Sequence, residues 1–124
     1  MRALSPRPLA ELRDVPTLRG ILCDIDDTLT WEGRLVPTAL LALQRAQQAG
    51  LRVVPITGRP AGWVDHIARM WPVDGVVGEN GGLWYWMDGT RLRRSFLQDA
   101  ATRKSNRARL DTAAATILEE VPGT

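Results

Sequence analysis

The chain has 124 residues, 44% of them hydrophobic and 24% charged, with a formal net charge of +2 at neutral pH. That balance excludes general disorder and sets one modest domain with a real core as the natural limit. The slight basicity accommodates phosphorylated ligands without demanding nucleic acid, and Cys23, the single cysteine, excludes an intrachain disulfide and fits a reducing, cytoplasmic compartment.

Residues 1–17 read as an N-terminal arm, since Pro6, Pro8 and Pro16 break any regular element there. The stretch has no apolar h-region of a signal peptide, and no 18-residue apolar run suggests a membrane span. The run at 20–25 is the first expected strand, short and rich in Ile and Leu, with Cys23 as a core residue rather than a nucleophile. A loop or small hairpin follows over 30–35, with Glu32-Gly33 as its turn.

Pro37 then opens a helix whose Leu40, Leu43 and Ala46 share a face, and Gly50 is placed to end it. A second strand is expected over 51–56, where Pro55 demands either an edge position or a local interruption of the ladder. The next helix should run from about residue 60 to 71 and bury Trp63, Ile67 and Met70, although Gly62 weakens it. A third strand lies near Val76 and Val77. Strand, helix, strand, helix, strand is the order of a parallel α/β sheet.

The pattern changes at Leu83. Residues 83–87 and 90–96 flank Asp88-Gly89, which signals a two-residue β-hairpin turn. The last third is helical, with Leu110, Ala113, Ala114, Ile117, Leu118 and Val121 as an apolar stripe, Ser105 as a cap and Pro122-Gly123 as a stop. Nothing after that pair can cover the exposed side of the helix.

Three carboxylates crowd the end of the first strand, in Asp24-Ile25-Asp26-Asp27-Thr28-Leu29. Such crowding needs a cation, protons or converging donors, and strand carboxyl ends are where open α/β sheets bind ligands. Asp24 is placed to attack phosphorus, with Asp26 protonating the departing oxygen and then activating water. A hard cation, Mg²⁺, would offset the repulsion between Asp24 and a phosphate dianion. The alternative is an acidic turn that caps a helix or binds solvent.

Thr57 ends the second strand and can donate to the same phosphate, with Gly58 admitting a close backbone approach. Arg59 either grips phosphate or faces solvent. Glu79 and Asn80, in Gly78-Glu79-Asn80-Gly81-Gly82, offer an acceptor and an amide in a ligand loop or a bare connector. Neither a P-loop nor a dinucleotide fingerprint is present. Trp31 either walls the cleft or packs on its own hairpin. His66 has no second metal-spaced histidine or cysteine and reads as helix surface. The basic residues at 91, 93, 94, 103, 104, 107 and 109, beside Trp84, Tyr85 and Trp86, read as a solvated face rather than a nucleic-acid surface, because a hairpin divides the aromatics between two faces.

Three ordered segments, Asp24-Ile25-Asp26-Asp27-Thr28-Leu29, Ile56-Thr57-Gly58-Arg59-Pro60 and Val77-Gly78-Glu79-Asn80-Gly81-Gly82, together resemble the haloacid dehalogenase-like phosphohydrolase superfamily, especially its Cof-type branch with a large cap. The resemblance implies an α/β fold: a partial Rossmann-like parallel sheet with flanking helices, a β-hairpin and the first helix of an otherwise missing cap. It divides the chain into the arm, a partial core over 18–98, and a linker and first cap helix over 99–124.

By resemblance, Asp24 is the nucleophile and a Mg²⁺ ligand, Asp26 is the general acid and base and gives its carbonyl to the metal, and Thr57 and Gly58 hold phosphate. Asp27 stands where the family most often has glycine and is structural or supports the site, and Thr28 supports the loop. Trp31, Arg59, Glu79 and Asn80 are further substrate or supporting residues. The family's later lysine and Gly-Asp metal motif have no counterpart, and Lys104 comes too early to be that lysine. The expectation is therefore a part of a longer phosphatase acting on a small phosphorylated metabolite, itself weak or inactive. The rival is a non-catalytic fragment that self-associates through an uncovered sheet edge or helix face.

Overall fold

The computed structural model describes residues 18–121 and 123; the expected arm over 1–17 and the stop at Pro122 lie outside them. Strand β1 (Gly20–Cys23) runs parallel to β4 (Arg52–Pro55), in a register that sets Gly20 opposite Arg52 and Cys23 opposite Pro55. Between them β2 (Thr30–Trp31) and β3 (Arg34–Leu35) form a small hairpin. Its turn is Glu32-Gly33, with both residues at positive φ. Helix α1 (Pro37–Gln48) opens on its proline and buries Leu43, and Gly50 follows at φ 82°.

Helix α2 (Ala61–Met70) leads into β5 (Val76–Gly78), a 3₁₀ turn (Glu79–Gly81), then β6 (Leu83–Asp88) and β7 (Arg91–Phe96). Strands β5, β6 and β7 form an antiparallel sheet in that order. It joins the parallel pair through one parallel bridge, Ile56 to Val77. Helix α3 (Ala100–Glu120) completes the chain. This is the expected α/β architecture.

Pro55 explains why the joint is a single bridge. Along β4 the Val53 carbonyl accepts the Asp74 N–H, and the Thr57 N–H reaches the Val77 carbonyl. Pro55, midway between these links, has no N–H to offer, so the ladder towards β5 is interrupted there. Asp74 substitutes for a strand neighbour: its Oδ2 accepts the Val53 N–H at 2.9 Å and the Gln47 amide at 3.2 Å, while Oδ1 accepts Arg52 Nη1 at 2.7 Å.

The core gathers Ile25, Val53, Val64, Ile67 and Val76, all essentially sealed from water. Burial of such side chains is the main source of stability. It also corrects the expected face of α2. Val64, Ile67 and Ala68 are buried, while Trp63 is 50% and Met70 70% exposed. The cause is Gly78, where any Cβ would lie 2.3 Å from Val64 Cγ2. That bare strand end admits Val64 and rotates Trp63 and Met70 to the rim.

Three other expectations shift. The first strand stops at Cys23 rather than residue 25, because the chain turns at Asp24 and sends Ile25 into the core. The β6–β7 turn is Gly89-Thr90, since Asp88 pairs with Arg91, and only Gly89 takes positive φ. The cap of α3 is Asp99, whose Oδ1 accepts the Thr102 N–H at 2.7 Å; Ser105 lies inside the helix. The apolar stripe of α3 is largely exposed, with none of its residues buried. None of the described helices is long and apolar enough to cross a membrane.

The hairpin does split its aromatics. Tyr85 is buried, while Trp84 and Trp86 lie together on the other face, ring centroids 5.8 Å apart. Much of the basic run is engaged locally: Arg93 with Asp88, Arg94 with Asp65, Arg107 with Asp111, and Arg103 over the Phe96 ring.

Candidate active site at the strand ends

Because β1 and β4 are parallel, their carboxyl ends lie side by side, and a cavity of about 360 Å³ opens there. Asp24, Thr57, Gly58 and Asn80 line it, with Leu22, Cys23 and Ile56 completing the wall. Four residues expected from three separate segments thus meet in one place. Asp26, Arg59 and Glu79 do not line this cavity.

Asp24 is exposed, and its Oδ1 accepts the Ile25 N–H at 2.7 Å. Thr57 is buried, and its Oγ1 accepts the Arg59 N–H at 3.1 Å. With that lone pair engaged, the hydroxyl proton is available to donate to a ligand oxygen. Gly58 packs close to the amide of Asn80; a Cβ at Gly58 would lie 3.1 Å from Asn80 Oδ1. Asn80 itself is left-handed at φ 53°, and its N–H donates to the Thr57 carbonyl.

The loop after Asp24 winds around one carbonyl. The N–H groups of Leu29 and Thr30 both donate to Ile25 O, and so does the Thr30 hydroxyl, at 3.1 Å. The same hydroxyl accepts the Asp27 N–H at 3.2 Å. Asp27 is left-handed at φ 56°, a conformation that aspartate tolerates better than most side chains and glycine best. The brace is therefore buried Thr30, which sequence reasoning missed; exposed Thr28 joins through its backbone, its N–H donating to the same Ile25 carbonyl at 3.3 Å. A hydroxyl three residues after an aspartate that opens a turn was the signal available.

Arg59 neither faces open solvent nor enters the cavity. Its Nη2 donates to Asp26 Oδ1 at 2.6 Å and its Nε to Oδ2 at 3.1 Å. These hydrogen bonds hold the Asp26 carboxyl below the ordinary carboxylate range, against a smaller effect of burial. Glu79 turns away as well, its Oε1 accepting the Ala61 N–H at the start of α2. Trp31 is 71% exposed on its hairpin, and His66 is exposed on α2. Burial, then the charge of Asp24, pushes the Cys23 thiol up, which keeps it protonated and inert. Among the described residues no three His, Cys, Asp or Glu side chains cluster to hold a metal ion.

The chain is 35% identical over 69 residues to a phosphoglycolate phosphatase from the archaeon Methanospirillum hungatei, a match covering 54% of the chain and 30% of that relative. Among solved structures it resembles a protein from Geobacillus kaustophilus with TM-score 0.59 and 26% identity, over 81% of the chain and 38% of the other. A phosphatase of the haloalkanoate (HAD) enzyme superfamily from Bacteroides thetaiotaomicron gives TM-score 0.54 and 27% identity, over 91% and 40%. The chain thus spans less than half the length of these relatives. The family match runs across residues 21–111, taking in the acidic strand end, the Thr57 segment and the hairpin. The chain belongs to the haloacid dehalogenase-like hydrolases.

Proposed function

We propose that this chain carries the nucleophile half of a phosphate-monoester hydrolase acting on a small phosphorylated metabolite. The observation that carries the reading is the single cavity in which the Asp24 carboxylate, the Thr57 hydroxyl and the Gly58 backbone meet at two parallel strand ends. A phosphoryl group seated there meets a nucleophile, a hydroxyl donor and a glycine it can approach closely. The archaeal relative's name supports a substrate the size of phosphoglycolate. A Cof-type cap beginning at α3, after a linker at residue 99, fits the uncovered state of that helix.

In this reading an Asp24 oxygen attacks phosphorus, the bond to the leaving oxygen breaks, and Asp26 delivers a proton to that oxygen. Water then attacks the aspartyl phosphate, Asp26 takes its proton, and inorganic phosphate leaves a free Asp24 carboxylate. Arg59 holds the Asp26 carboxyl below the ordinary carboxylate range, which favours the ionised form that takes the water's proton in the second step. The donor set fits part of a Mg²⁺ shell: the Asp24 carboxylate and the Asp26 carbonyl are hard oxygen donors, and this ion commonly takes one or two carboxylates alongside water and phosphate. Bound there, the ion would offset the charge of the phosphate. With no third acidic ligand among the described residues, turnover by this chain should be weak.

Beryllofluoride with Mg²⁺ tests the nucleophile without requiring turnover, because it mimics a phosphoryl group on a carboxylate. A protein-bound ¹⁹F signal is expected, abolished by Asp24→Asn and weakened by Thr57→Val. An unchanged signal in Asp24→Asn refutes the assignment. Hydrolysis of p-nitrophenyl phosphate, in the same variants, provides the parallel activity measurement.

A second reading, self-association, draws on two surfaces. Helix α3 has no buried residue, and Leu22 on β1 is 71% exposed. Sedimentation that stays monomeric at every concentration would remove it.

A further inference from the structure

Arg59 is held more firmly than a surface arginine has reason to be. Its backbone N–H donates to Thr57 Oγ1 at 3.1 Å, and its carbonyl accepts the Glu79 N–H at 3.1 Å, so the main chain is tied to both neighbouring strand ends. Its guanidinium lies 4.3 Å from the centre of the Trp63 ring. Trp63 sits one turn along α2, and α2 is pinned to the sheet through Val64, Ile67 and Ala68. A line of contacts therefore runs from the core through Trp63 and Arg59 to Asp26.

The two partners are unequally exposed. The Arg59 side chain is 22% accessible and that of Asp26 48%. Exposed ion pairs usually fluctuate and contribute little. Here the planar fork matches the carboxylate at two points, and the aromatic face removes much of the freedom that a long side chain would otherwise keep. The arginine is the fixed member, and the carboxylate is what it fixes. With Nε and Nη2 both committed to Asp26, the guanidinium is also poorly placed to serve as the phosphate's counter-charge.

We propose that Arg59 is the positioning residue of this site: propped on Trp63, it clasps Asp26 at two points and fixes where its carboxylate stands relative to Asp24. The proposal rests on the reading of Asp26 as the proton-transfer group. It assigns Trp63 a part that neither catalysis nor core packing explains, as the backstop of the clasp.

The test begins with ¹⁵N-labelled full chain and the exchange of arginine side-chain Nε–Hε protons with water. The Arg59 signal is identified by its loss in Arg59→Lys. It should exchange at least tenfold more slowly than the arginines of α3, lose that protection in Asp26→Ala and lose part of it in Trp63→Leu. Hydrolysis of p-nitrophenyl phosphate with Mg²⁺ adds a readout that a structural role would not move. Arg59→Met should lower kcat roughly tenfold or more with KM within about twofold, and Arg59→Lys should restore part of the loss. Unprotected exchange at Arg59 overturns the proposal, as does a raised KM at unchanged kcat, which would make Arg59 a phosphate ligand. Failure of the phosphatase reading shows separately, as a beryllofluoride ¹⁹F signal that Asp24→Asn leaves unchanged; absent turnover alone is the weak activity expected of this chain. The exchange measurement then decides alone, with protection supporting the clasp and its absence overturning it.

Discussion

Replacing Asp74 by alanine should be among the most destabilising single changes outside the apolar core. The Val53 N–H that it satisfies belongs to a residue with no exposed surface, in the strand that links the two parts of the sheet. Leaving that donor without a partner costs about 1–3 kcal/mol. The ion pair with Arg52 adds less than about 1 kcal/mol, because that arginine is 79% exposed. The total is roughly 1–4 kcal/mol, on the order of 10 °C in Tm for a domain of this size.

Asp74→Asn keeps an acceptor for Val53 and should cost only about 1 kcal/mol. Urea unfolding followed by circular dichroism measures both variants. A loss below about 0.5 kcal/mol in Asp74→Ala would refute the assignment, and equal losses in the two variants would shift the weight from Val53 to the charge on Arg52. Acid provides a second check. Burial alone would raise the Asp74 carboxyl, but the Val53 N–H, Arg52 and Gln47 together hold it below its ordinary 3.8. A depressed folded value means that its contribution is complete above 3.8 and fades as pH falls through the lower folded value. The stability gap between the unsubstituted chain and Asp74→Asn should therefore close under acid.

Gly78→Ala brings a Cβ within 2.3 Å of Val64 and 2.9 Å of Leu83, and should lower stability by about 1–3 kcal/mol, partly recovered with Val64→Ala; thermal melts of the single and double variants decide. Thr30→Val removes a buried hydroxyl that serves Ile25 and Asp27, costs about 1–2 kcal/mol and should weaken beryllofluoride binding, while Thr30→Ser keeps both. Asp99 is held below the ordinary carboxylate range first by the Thr102 N–H. The first turn of α3 should stay folded into mild acid and fray as pH falls through that lowered value, whereas Asp99→Ala should fray at neutral pH; amide exchange at Thr102 reports both.

The parts of this fold legible in the sequence are those fixed by local chemistry. Pro37 at a helix start, Glu32-Gly33 in a turn and Pro55 in a strand each constrain the backbone within a few residues. Asp24, Thr57, Gly58 and Asn80 were also legible, since parallel strands bring their carboxyl ends together whatever the side chains between them. What escaped depends on distant partners. Nothing near Asp74 announces that its acceptor role lies 21 residues away at Val53. The spacing of Trp63, Ile67 and Met70 suits a helix face as well as that of Val64, Ile67 and Ala68, and only the absent side chain of Gly78 selects between them. Arg59 had two evident destinations, phosphate or water, and took a third because α2 places Trp63 behind it. At Asp99 an aspartate three residues before Thr102 was a readable cap, and it starts the helix well ahead of Ser105.

Leu22 belongs to two surfaces at once. It lines the cavity that holds Asp24 and Thr57, and it lines the apolar hollow with Ile21 and Val54 beside a strand that, among the described residues, pairs only with β4. A neighbour docked along that strand would touch the side chain that forms one wall of the Asp24 cavity. Thermodynamic linkage makes the effect mutual: a neighbour that tightens phosphate binding by some factor is itself held tighter by phosphate to the same factor. The open edge of this sheet and the cavity of Asp24 and Thr57 thus share one side chain, Leu22.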